Sequence, residues 1–116
     1  MSFMLRWKPE ARAQYDSLER AAHKAYQARQ KAGRSKSSRQ EGLFRQVRKT
    51  VRLLQDNPRH PGLQTHQYHS LPHPYETGGK VFAAYVQQNT PGAYRLFWCY
   101  GPQAGQISVI TITPHP

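Results

Sequence analysis

Apolar positions change their period once along this chain. From Pro9 onward, Ala11, Tyr15, Leu18, Ala22 and Ala25 recur at four- and three-residue spacings, the signature of an amphipathic helix to about Arg29. Pro9 suits the first position of that helix, where its missing N–H is no loss. The stripe is mostly alanine, so the helix is expected to lie close against its neighbour. A second face, Phe44, Val47, Val51 and Leu54, predicts another helix opened by Gly42 and closed at Asn57-Pro58, because a residue before proline resists helical geometry. Between them, 33–40 (GRSKSSRQ) reads as a loop.

Beyond Lys80 the pattern is that of strands. The runs KVFAAYVQQ, AYRLFWCY and QISVITIT are separated by NTPG and GPQAG, and Pro91-Gly92 fits a tight turn. AYRLFWCY is apolar on both parities, which predicts a central strand covered by helices on at least one side. Residues 2–7 read as a first strand, and THQYHSL as a short one before the loop HPYETGG. With no internal repeat, 1–116 reads as one α/β domain, long enough to bury about two-thirds of its unfolded surface.

Charge then narrows the partners. Seventeen Lys and Arg against six Asp and Glu give a net charge of +11, and the isoelectric point is near 10.3. Such an excess favours anionic partners, above all nucleic acid. A lone cysteine, Cys99, excludes an internal disulfide framework and makes the cytosol the natural compartment. No run has signal-peptide length or approaches the ~20 apolar residues of a membrane span.

Several residues stand out against this background. Between Arg29 and Arg52 nine Lys or Arg accompany one acid, Glu41. Arg45, Arg48, Lys49 and Arg52 share the face of the second helix opposite its apolar stripe. They form either a solvated surface or a phosphate-binding one, and six phosphate contacts would give a log–log salt slope of about −4 to −5. The last acid is Glu76, so the three C-terminal strands hold no carboxylate. Arg95 is their one arginine: it either snorkels to water or holds a phosphate bidentately. His115, flanked by Pro114 and Pro116, is either a frayed end or a proton donor at neutral pH. Lys80 is either solvated charge or a second cation beside Arg95. His60, His66, His69 and His73 crowd a proline-rich stretch that cannot be a helix, so no metal site is expected and loop histidines near an anion site fit better. His66 or His69 could act as a general base. Cys99 reads as a packed thiol, and Tyr94, Trp98 and Tyr100 as core.

The order strand, two helices, then strands carrying YRL and ending in TPH resembles the RelE/ParE superfamily of bacterial toxins over nearly the whole chain. The resemblance rests on the helix pair, the segment NPRHPGLQTHQYHSL and the ending AYRLFWCY…ISVITITPHP. It implies two N-terminal helices packed on one face of a small, mostly antiparallel sheet of four or five strands. In RelE-like members it implies metal-independent cleavage of messenger RNA on the ribosome, with the 2′-hydroxyl as nucleophile. In ParE-like members it implies poisoning of DNA gyrase. The arginine of the family's central strand falls on Arg95 and its C-terminal acid/base residue on His115. Of the basic residues on the preceding strand only Lys80 is present. The carboxylate base of some members has no counterpart, and histidines occupy that region.

The expectation is therefore a cytoplasmic, ribosome-dependent endoribonuclease toxin that blocks translation without cofactor or metal. Arg95 and Lys80 would hold the scissile phosphate, His115 would protonate the leaving oxygen, His66 would activate the 2′-hydroxyl, and Arg45, Arg48, Lys49 and Arg52 would dock on ribosomal RNA. An acidic, partly disordered antitoxin is the implied partner. The alternatives are a non-catalytic gyrase-binding toxin and a catalytically silent nucleic-acid-binding protein of the same fold.

Overall fold

The computed structural model describes residues 2–88 and 91–114. In chain order it runs β1 (Met4–Trp7), α1 (Pro9–Lys31), α2 (Arg39–Asp56), a 3-10 turn (Pro61–Leu63), β2 (His66–Tyr68), β3 (Val81–Tyr85), β4 (Tyr94–Tyr100) and β5 (Gln106–Pro114). The strands form one sheet in the order β1-β5-β4-β3-β2. Only β1 and β5 are parallel; the other neighbours are antiparallel. As expected, AYRLFWCY is the central strand.

Helix α1 starts on Pro9, with Glu10 in its first turn and Arg29 and Lys31 in its last, each charge matched to the helix dipole. Helix α2 opens three residues before Gly42. Ser38 accepts from the Glu41 N–H, and the Glu41 carboxylate accepts from the Ser38 N–H at 2.7 Å. This capping box makes SRQE a helix start inside the stretch read as loop. Both Glu41 oxygens also accept from Arg29 Nε at 2.9 and 3.0 Å, tying the two helices together near their connection. Asn57 closes α2 as expected.

One apolar layer joins helices to sheet. Ala11, Val47 and Leu54 pack with Ala84, Leu96, Trp98, Val109 and Ile112. Trp7, Tyr15 and Phe44 stack in series, centroids 5.0 and 5.3 Å apart, and so link β1, α1 and α2. Strand β5 serves this layer through a bulge. Its alternation Ile107-Ser108-Val109 breaks at Ile110 and resumes as Thr111-Ile112-Thr113, and the pairing shifts at the same place, between Phe97/Thr111 and Trp98/Val109. The extra residue lets Ile107, Val109 and Ile112 all face the helices.

The other face carries Arg95, Phe97 and Cys99 from β4, with Val81, Ala83 and Tyr85 from β3. It is covered too. Tyr68 lies 4.7 Å from Phe97, and Tyr75 reaches across to share a 2.8 Å hydrogen bond with Ser108. Cys99 is wholly buried there, and burial pushes its thiol up to about 11. Among the described residues no helix is long and apolar enough to cross a membrane.

Candidate functional site

The β3–β4 register decides which polar side chains meet. Tyr85 faces Arg95, and Ala83 faces both Phe97 and His66. These residues share one face, so the Arg95 guanidinium lies over the Tyr85 ring, 3.8 Å from its centroid. The ring of His66 meets the same tyrosine edge-on at 5.7 Å. Arg95, Tyr85 and His66 thus form one cluster at the end of the sheet.

Arg95 does not snorkel. It is 2 % exposed, and one of its η nitrogens donates to the Tyr94 carbonyl at 3.1 Å. An aromatic face is among the few apolar surroundings that attract a guanidinium. His66 is exposed, on an edge strand rather than in a loop. Its Nδ1 sits 3.4 Å from the Gln64 carbonyl. Gln64 itself has φ +48, an unusual conformation for a residue with a side chain.

Lys80 is not part of this group. Tyr85 is the residue that faces Arg95, and Lys80 precedes it by five, roughly 17 Å along an extended strand. It stands exposed at the opposite end of β3. The expectation that it lies beside Arg95 fails on register. His115 lies outside the described residues; β5 pairs Thr113 with Arg95 and Pro114 with Tyr94, immediately before it in sequence.

Arg45, Arg48, Lys49 and Arg52 are all exposed and form one stripe along α2. Arg45 donates to Ser37 Oγ at 3.2 Å. Lys49 stands nearest the sheet. With Gln46, Thr50 and Tyr85 it lines a cleft of about 210 Å³ between α2 and the end of β3. The basic stripe therefore reaches the strand end that carries the arginine cluster. His60 and His73 are engaged elsewhere: each ring accepts a nearby backbone N–H through Nδ1, from Gly62 and Tyr75 respectively. Among the described residues no group of three metal-ligating side chains converges.

Tyr85 is the member of the cluster that sequence reasoning passed over. Its only signal is its place five residues into a strand whose partner carries a lone arginine. Tyr100 is a second difference. Expected in the core, it is 42 % exposed, because it ends β4 where the helices no longer cover the sheet.

Two helices on a mixed five-stranded sheet, with the first strand parallel to the last and the longest two antiparallel at its centre, define a small α+β class. The chain carries the RelE/YoeB/ParE fold. A YoeB/ParE toxin from Agrobacterium tumefaciens matches with a TM-score of 0.59 at 11 % identity, over 97 % of this chain and 99 % of that one. A YoeB dimer from Staphylococcus aureus matches at 0.57 and 10 % identity over the whole of both chains. The archaeal RelE of a RelE–RelB complex from Pyrococcus horikoshii matches at 0.56 and 12 % identity, over 98 % and 96 %. No protein-family model and no curated protein matches the sequence.

Proposed function

We propose that this protein is the toxin of a toxin–antitoxin pair and cleaves messenger RNA on the ribosome. The observation that carries the reading is the arginine cluster. In a fold shared end to end with YoeB and RelE toxins, the one arginine of the three C-terminal strands stands at the strand end where β5 arrives with Thr113, two residues short of His115.

In the proposed reaction His66 takes the proton of a ribose 2′-hydroxyl. The 2′-oxygen forms a bond to phosphorus as the bond to the 5′-oxygen breaks, and His115 gives that oxygen a proton. Arg95 neutralises charge on the non-bridging oxygens. Since Arg95 is nearly covered, the phosphate reaches it only if neighbouring side chains, Tyr85 first, move aside. Arg45, Arg48, Lys49 and Arg52 supply the docking surface for ribosomal RNA, whose affinity then falls steeply with salt. An acidic antitoxin would neutralise that surface, as the RelB partner of the archaeal relative suggests.

The test is cleavage of message by the purified protein with ribosomes. Arg95→Ala and His115→Ala are each expected to lose at least ~10²-fold in rate. Undiminished cleavage in both variants rejects the site. A second reading is favoured by one observation: with Lys80 at the far end of β3, the described sheet brings a single cation to the cluster. A non-catalytic toxin acting on gyrase fits that poverty. It predicts inhibited supercoiling, intact message and no need for His115.

A further inference from the structure

We propose a second ligand site, for a nucleotide, at the Tyr100 end of β4 on the helix side of the sheet. The segment after α2 and the ends of β3 and β4 enclose a hollow of about 490 Å³, walled by Arg59, His60, Thr65, Phe82, Trp98 and Tyr100. Trp98 sits three residues from Arg95 on β4 and so on the opposite face. This hollow therefore shares no wall with the arginine cluster.

Two independent observations point to a missing ligand. Trp98 Nε1 and Thr65 Oγ1 are buried with no hydrogen-bond partner among the described residues, and both residues line this hollow. Trp98 as a whole is 1 % exposed. Buried polar groups are almost always paired, and both atoms are closed to solvent, so an acceptor in the hollow completes them as a wall side chain turns aside. The walls are the second observation. Tyr100, Phe82 and Trp98 pack on one another as an aromatic wall, with Trp98 and Phe82 4.8 Å apart and Tyr100 edge-on to Trp98 at 5.0 Å. Tyr100 leaves much of its ring to solvent.

The polar groups select the ligand. His60 Nδ1 accepts from Gly62 N–H at 2.9 Å, which leaves the other ring nitrogen as a donor. Arg59 takes part in neither of the ion pairs found among the described residues. Indole, imidazole and guanidinium all donate, and no carboxylate lines the hollow. Flat aromatic walls with a rim rich in donors, and with no carboxylate among the described residues that line it, fit a planar, acceptor-rich anion. In a nucleotide the base would stack on Tyr100 and accept from Trp98, and the phosphate would meet Arg59. A free mononucleotide and a nucleotide of single-stranded RNA present the same chemistry.

Calorimetric titration of the intact protein with AMP, CMP, GMP and UMP, a short single-stranded oligoribonucleotide, and ribose 5-phosphate as a base-free control tests this. At least one base-bearing ligand is expected to bind with Kd below ~1 mM, and ribose 5-phosphate is not. Arg59→Ala and Thr65→Val should each weaken binding about tenfold, and Trp98→Phe likewise if it keeps the fold. The titration involves neither ribosomes nor cleavage, so this outcome is separable from the fate of the nuclease reading. Mononucleotide binding with that dependence assigns a free ligand; binding of the oligonucleotide alone, with the same dependence, assigns RNA. Equal binding of ribose 5-phosphate, indifference to both Arg59→Ala and Thr65→Val, or no binding of any base-bearing ligand overturns the proposal.

Discussion

Arg95 and Tyr100 lie near opposite ends of the same strand and have been treated in opposite ways. The first is a charge drawn inside, laid against Tyr85 and 2 % exposed; the second is an aromatic ring left 42 % open, edge-on to an indole whose N–H has no partner among the described residues. Residue type alone would lead one to expect the reverse, with the ring inside and the cation in water. One end holds its polar group satisfied and covered. The other holds its polar groups dry and unanswered.

The strongest way to break this contrast is Arg95→Met, which keeps an unbranched stem and removes the charge. Cleavage should drop by at least ~10²-fold while circular dichroism and the unfolding midpoint show a folded protein, since apolar replacements of buried ions are often tolerated. Loss of the fold instead would make the arginine structural. Next in size, Tyr85→Leu removes the ring beneath the guanidinium, and urea denaturation should show a loss of about 2 kcal/mol, the upper range for a desolvated cation–π contact. Tyr100→Ala, at the open end, should cost less, about 0.5 kcal/mol, in the same measurement. A cost as large as that of Tyr85→Leu would erase the difference between the ends.

The stretch between them offers a pH test. Burial raises the Cys99 thiol from its ordinary 9.0 to about 11, so the folded state favours the neutral form. The stability this implies is complete below pH 9 and is lost as the pH rises toward about 11. Midpoints of wild type and Cys99→Ala are expected to run parallel up to pH 9 and converge above it. Alkylation of the native thiol at pH 8 should be negligible beside that of the unfolded chain.

Periodicity made both helices and the central strand legible, because each depends on local pattern alone. What escaped depended on register. A two-residue turn at Pro91-Gly92 would set Gln88 opposite Arg95; the observed partner is Tyr85, three residues earlier. Both Val86 and Gln87 donate to the Tyr94 carbonyl, and the Gln87 side chain accepts from Tyr94 N–H, so the ladder absorbs extra residues before the turn. That slip supplies Tyr85 as the neighbour of Arg95; Lys80 precedes Gln88 by eight residues and Tyr85 by five, so it lies away from Arg95 in either register. The early start of α2 was readable in principle from Ser38 and Glu41, three apart, but the surrounding Gly, Ser and Lys outweighed it. Arg95 as the residue to watch was visible from its isolation; that it would be enclosed was not.

Glu41 is the one carboxylate among the nine cations of 29–52, and its two oxygens are already engaged by Arg29 and the N-terminus of α2. Its negative charge is therefore turned inward, and the other eight cations face outward without a neighbour of opposite sign in that stretch. An approaching polyanion meets a large excess of positive charge along this stretch, so encounter should be fast at low ionic strength and slow sharply as salt is added. A single internal ion pair thus sets how far away this protein can be felt.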